Sequence, residues 1–105
     1  VAGAGQAPNS ATVQTLEQRA AELVARNGGR NRLSISHPNG RINIDLQGKA
    51  HGHVPTPHVE TFQNNIIPSG PRAGQIGNRS QVGPTRPATA ADLRIVDRYL
   101  KSLGR

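Results

Sequence analysis

The sequence predicts an α+β fold, because two stretches of helical apolar spacing bracket a stretch of strand-like alternation folded about an Asn-Gly pair. From Thr12 to Arg26, Val13, Leu16, Ala20, Leu23 and Val24 recur on one helical face. Asn9 or Ser10 is the candidate cap, and Asn27, Gly28 and Gly29 are the stop. The opposite face carries Gln14, Glu17, Gln18 and Glu22, so this helix is not a basic surface. The next element is a hairpin over residues 33–47, the basis of a small antiparallel sheet. With Asn39 and Gly40 as the turn, Ile35 faces Ile44, Leu33 faces Leu46 and His37 faces Ile42, at the edge of the core.

Pro55 and Pro57 each remove a backbone donor, which predicts an edge strand, or a stiff loop leading into one, over residues 58–63. Ile66 and Ile67 mark a further short strand. Residues 68–88 then hold four prolines and four glycines together with Arg72, Arg79 and Arg86, and predict a long basic loop. The last element is a helix. Thr89 and Asp92 form a capping box with Asp in place of the usual Glu, Leu93, Val96, Tyr99, Leu100 and Leu103 share a face, and Gly104 closes it. Residues 1–10 have the composition of a flexible linker, leaving 11–105 as a single small domain.

Composition limits the chemistry. The absence of cysteine removes disulfides, thiolate metal ligands and thiol nucleophiles. No apolar run is long enough for a membrane segment, and the first residues lack the pattern of a signal peptide, so export would depend on residues outside this sequence. The formal net charge is +7. Of the 13 cations only Lys49 and Lys101 are lysine, and arginine makes two-point contacts with phosphate that lysine cannot. That balance points to nucleic acid, whereas Phe62 and Tyr99 are too few aromatics for a base-stacking sheet of the RRM or OB kind. A basic surface that serves only solubility is the plain alternative.

Three of the four histidines lie in KAHGHVPTPHVE, Lys49 to Glu60. If that stretch is extended, His51 and His53 point to one side, and the prolines limit how far His58 strays from them. Two imidazoles in one cleft suit attack of an RNA 2′-hydroxyl on its own phosphate: one removes the hydroxyl proton and the other protonates the departing 5′-oxygen. A nearby cation then balances the phosphoryl charge. The product is a 2′,3′-cyclic phosphate, made without metal or other cofactor. The same histidines could instead be read as a metal site, but carboxylates are few and the surroundings basic, so no metal is expected. A second cluster, GPTRPATAADLR from Gly83 to Arg94, places Arg86 beside the free N–H groups of a helix start at Thr89.

The segments DLQGKAHGHVPTPHV (Asp45 to Val59) and RPATAADLR (Arg86 to Arg94) resemble the C-terminal domains of bacterial polymorphic toxins, most closely the type 24 family. That resemblance implies a ribonuclease of the barnase, EndoU, colicin and RelE group, with RNA, transfer RNA included, as substrate. It implies His51, Thr56, His58, Arg86 and Thr89 as catalytic positions, with His53 able to replace His51, while Lys49, His53, Arg72 and Arg79 are the candidate substrate-binding residues. The motif lacks the glutamate base of the barnase pattern unless Glu60 serves. The resemblance further implies a monomer carried at the end of a larger exported protein, as in contact-dependent inhibition, acting in the target-cell cytoplasm and blocked by an acidic immunity protein. A non-catalytic nucleic-acid- or protein-binding module and a metal-dependent DNase toxin are the alternatives.

Overall fold

The computed structural model describes residues 14–105. In chain order the elements are α1 (Leu16–Arg26), β1 (Arg32–His37), β2 (Gly40–Asp45), β3 (His58–Ile66), β4 (Ile76–Gln81), β5 (Arg86–Pro87) and α2 (Ala90–Ser102). The strands form one antiparallel sheet in the order β1-β2-β3-β4, with β5 also pairing with β3. The class is α+β, as the two apolar periodicities predict.

The first helix starts later than its apolar spacing suggests. Thr15 is its cap: Thr15 Oγ1 accepts from the Gln18 N–H at 3.1 Å, and the Thr15 N–H donates to Gln18 Oε1 at 2.9 Å, a reciprocal box that satisfies two groups of the helix start. Asn9 and Ser10, like the proposed linker, lie outside the described residues. Asn27 closes the helix, followed by Gly28 and Gly29 at φ 68° and 80°, a conformation that costs glycine nothing. In α2 the box of Thr89 and Asp92 forms as the sequence predicts, and Gly104 takes φ 78°. Leu103 is the capping residue beyond the last turn and is half exposed, so it does not extend the buried stripe.

The hairpin register differs from the expected one by two residues. Leu33 faces Ile44, Ile35 faces Ile42, and His37 faces Gly40 and is exposed. Pro38 and Asn39 therefore make the turn, and the fixed negative φ of proline excludes the primed turns that an Asn-Gly pair suggests. Gly40 serves a different purpose. It lies in β2 against β3, where an added Cβ would fall 2.0 Å from the Phe62 carbonyl oxygen. Glycine is needed for close strand approach, and the two-residue shift leaves every apolar side chain on its predicted face.

Two further expectations are corrected. The extended stretch at 58–63 and Ile66 belong to one nine-residue strand, with Ile67 just beyond its end, and β3 lies inside the sheet, so Pro55 and Pro57 stiffen a loop leading into an interior strand. The long basic loop contains β4, Ile-Gly-Asn-Arg-Ser-Gln, exposed at every position. Strand prediction rests on a buried face, and this strand has none; its pairing with β3 holds it.

Both helices cover one face of the sheet. Ala20, Leu23, Leu93, Val96 and Leu100 from the helices meet Leu33, Ile44, Leu46 and Val59 below them. Arg26 of α1 donates to Asp97 of α2 at 2.5 Å, and with Lys101 it holds the Asp97 carboxyl below the usual carboxylate range. Among the described residues no helix covers the opposite face of the sheet.

Gly40→Ala places a methyl where the β3 backbone stands, and separating these central strands is expected to cost roughly 2–3 kcal/mol. Urea unfolding of the variant beside the parent measures it. An unchanged midpoint would show that β2 and β3 do not approach as closely as described.

Candidate active site

Strand alternation and register together determine what the helix-free face displays. Directly paired residues share a face. Along β1, β2 and β3 the rows are Arg32, Asp45 and His58; then Ser34, Asn43 and Glu60; then Ser36, Arg41 and Phe62; with Asn64 and Arg79 in a fourth row across β3 and β4. Asn43, His58 and Glu60 are buried although no helix among the described residues lies over them. The segment 47–57, leaving β2 and entering β3, is the only connection between Asp45 and His58, the two residues of the first row that it joins.

His58 is 2% exposed. Its Nε2 is 2.7 Å from Asp45 Oδ2 and its Nδ1 is 3.2 Å from the Val54 carbonyl oxygen. Both partners are acceptors, so the ring satisfies both contacts when each nitrogen carries a proton. Arg32 grips the same carboxylate with a fork, Nε to Oδ1 at 2.5 Å and Nη2 to Oδ2 at 2.9 Å. Burial pushes the Asp45 carboxyl up, but Arg32 and His58 outweigh it and hold the group below its ordinary value, while Asp45 raises Arg32.

Beside this buried pair stands an accessible one. His51 is largely exposed, its Nδ1 3.6 Å from Glu60 Oε2, and its ring centroid is 6.2 Å from that of His58 in an edge-to-face arrangement. Arg32 Nη2 donates to the other Glu60 oxygen at 3.3 Å. The segment carrying His51 is not extended. His51 and Val54 exchange backbone bonds of 2.9 and 3.0 Å around a turn in which Gly52 takes φ 60°, so His51 and His53 do not form an aligned pair. The Val54 oxygen that closes this turn is the one bound by His58.

The remaining candidates are distributed more widely. Lys49 and His53 are exposed on the 47–57 segment, and Thr56 Oγ1 donates back to the Gly48 oxygen at 3.5 Å. Arg79 is on the polar face in the fourth row, its Nε donating to Asn64 Oδ1 at 3.1 Å. Arg72 lies at the far tip of the β3–β4 connection, donating to Gln75. Arg86 pairs with Val59, so it belongs to the helix-covered side and away from the histidines. There it forks onto Asp92 at 2.7 and 2.9 Å, while the Thr89 N–H donates to the same carboxylate at 2.7 Å. Arg86 first, with Thr89 adding to it against the opposing effect of burial, holds the Asp92 carboxyl at about 2.

The structure thus brings His51, His58, Glu60, Asp45 and Arg32 together and leaves Arg86 and Thr89 on the other side of the sheet. Among the described residues no three His, Asp or Glu side chains converge as a metal-holding group, and no helix is long and apolar enough to cross a membrane. Residues 14–94 match the sequence model of the family described as bacterial toxin 24. No curated protein and no solved structure matches the chain.

The Arg86–Asp92 pair sets a pH dependence of known sign. A carboxyl near 3.9 when unfolded and near 2 when folded adds stability that is complete above about pH 4 and is lost as pH falls toward about pH 2. Urea unfolding of the parent should weaken over that window, and Asp92→Asn should lack this part of the slope. At neutral pH Thr89→Ala, which removes the cap, is expected to cost about 1 kcal/mol.

Proposed function

The chain belongs to the bacterial toxin 24 family, and from that membership we propose that its toxic activity is metal-independent cleavage of RNA through attack by the 2′-hydroxyl. The observation that carries this reading is the exposed His51 imidazole 3.6 Å from the buried Glu60 carboxylate, on an open face beside Arg32. An acid and a base side by side at a cationic surface are what transesterification of a phosphodiester requires.

In this mechanism Glu60 takes the proton from the 2′-hydroxyl as the O2′–P bond forms. The P–O5′ bond breaks, and the departing 5′-oxygen takes a proton from the His51 imidazolium. The products are a 2′,3′-cyclic phosphate and a 5′-hydroxyl, so atoms and protons balance. Arg32, whose guanidinium is half exposed while it holds Glu60, offsets charge growing on the phosphoryl oxygens. His58, buried and bonded at both nitrogens, acts as a positioning residue: through Val54 it holds the turn that carries His51. Lys49 and Arg79 attract the substrate backbone. Arg86 and Thr89 support the sheet and the start of α2 from the opposite side.

Within this reading the domain is a monomer carried by a larger exported protein, acts in the cytoplasm of a target cell on RNA such as transfer RNA, and is held inactive by an acidic immunity partner. The charge of +7 favours such a partner.

Incubation of the purified chain with total cellular RNA in EDTA tests the reading. Discrete fragments ending in a 2′,3′-cyclic phosphate are expected, and His51→Ala and Glu60→Gln should each slow cleavage by roughly 100-fold or more. Intact RNA with a mobility shift would identify a binding module, and DNA nicking that needs added metal would identify a DNase; either result overturns the proposal.

A further inference from the structure

Arg41 differs from the other arginines of the polar face. It lies on β2 directly across from Phe62, and its Nε is buried with no hydrogen-bonding partner among the described residues. None of the ion pairs among those residues includes it. Arg32, in contrast, is paired with both Asp45 and Glu60. A guanidinium with a buried orphan N–H and no counter-charge gains from any acceptor that arrives from outside.

What surrounds Arg41 selects that acceptor. Asn43, the residue paired with Glu60, is two positions from Arg41, so Arg41 and Glu60 are diagonal neighbours, roughly 7–8 Å apart at the backbone. The next row along holds Arg79, whose Nε meets only the neutral Asn64 amide. Phe62 lies between them, half-buried, and residues 61–91 contain neither Asp nor Glu. Rows on one face are about 6–7 Å apart, which is the scale of a nucleotide step. Arg41 and Phe62 share one row and Arg79 stands in the next, so an unneutralised guanidinium, an aromatic ring and a second guanidinium run obliquely across the sheet from beside the Glu60–His51 pair.

We propose that Arg41, Phe62 and Arg79 form the binding track for the single-stranded RNA flanking the scissile linkage. Arg41 takes the adjacent phosphate, Phe62 packs against the intervening base, and Arg79 takes the phosphate beyond. The assignment rests on the ribonuclease reading of Glu60 and His51.

The test uses the full chain and a fluorescent single-stranded 2′-O-methyl RNA, which lacks the attacking hydroxyl at every position. Anisotropy titrations across a salt series are expected to show Arg41→Met binding roughly tenfold or more weakly than the parent. The slope of log affinity against log salt should be shallower by about 0.7, as for the loss of one phosphate contact on a single strand. The melting temperature should hold or rise, because the variant removes an orphan donor. If Arg41→Met melts lower, Arg79→Gln, an exposed change, carries the same test. Parent-like affinity with an unchanged slope in the deciding variant overturns the track, as does failure of the parent to bind. Because this probe cannot be cut, loss of cleavage in the EDTA assay overturns the ribonuclease reading alone, and parent-like binding overturns the track alone.

Discussion

The polar face depends on one buried contact, the His58 ring held between the Asp45 carboxylate and the Val54 carbonyl. A ring 2% exposed and bonded at both ends is costly to displace, since a ring nitrogen that lost its partner would be a buried unpaired polar group. The contact joins three parts of the chain. Asp45 ends β2, His58 begins β3, and Val54 belongs to the turn that carries His51. With Arg32 of β1 on the same carboxylate, the three strands and the loop meet in one hydrogen-bonded cluster. His51 can face Glu60 because its turn is secured from beneath.

Much of the fold is legible in the residues, and the misses have physical causes. Both helices follow from apolar spacing and stop signals, and the capping box of α2 is readable from Thr89 and Asp92 alone. The Thr15–Gln18 box has the same form, but the earlier Asn9 and Ser10 are equally good caps by type and draw the expected start upstream. The hairpin register depends on which pair forms the turn. Asn39-Gly40 is the stronger local signal, and what overrides it is the Phe62 carbonyl 22 residues away, against which only glycine fits at position 40. That constraint is tertiary and leaves no local trace. Strand β4 is invisible for a related reason: it buries no face, so it has no apolar alternation to read.

The site is legible by composition more than by geometry. The histidine cluster between Lys49 and Glu60 marks the correct segment, yet residue type alone does not say which imidazole is exposed. Gly52 provides part of that answer, since its positive φ turns the chain and separates His51 from His53. Arg32 and Glu60 are reached only through register. Once Leu33 is opposite Ile44, alternation puts Arg32 opposite Asp45, and Asp45 opposite His58, on the side away from the core. Alternation alone already puts Arg32 and Asp45 on this face, and the correct register is what sets them opposite each other. Arg86 and Thr89 illustrate the converse: close in sequence to a helix start that could bind an anion, they spend that potential on Asp92.

The distribution of paired charge separates structural arginines from available ones. In the helical layer Arg19, Arg26 and Lys101 all converge on Asp97, and Arg86 is neutralised by Asp92. These contacts hold α1, α2 and β5 together. On the polar face the carboxylates end at Glu60, and no Asp or Glu occurs again in the chain before Asp92. On that face Arg41 and Arg79 have no carboxylate partner among the described residues and lie beside the exposed imidazole that meets Glu60. Electrostatic attraction of a polyanion depends on such cations, because one already neutralised within the fold adds little to the field a distant phosphate experiences.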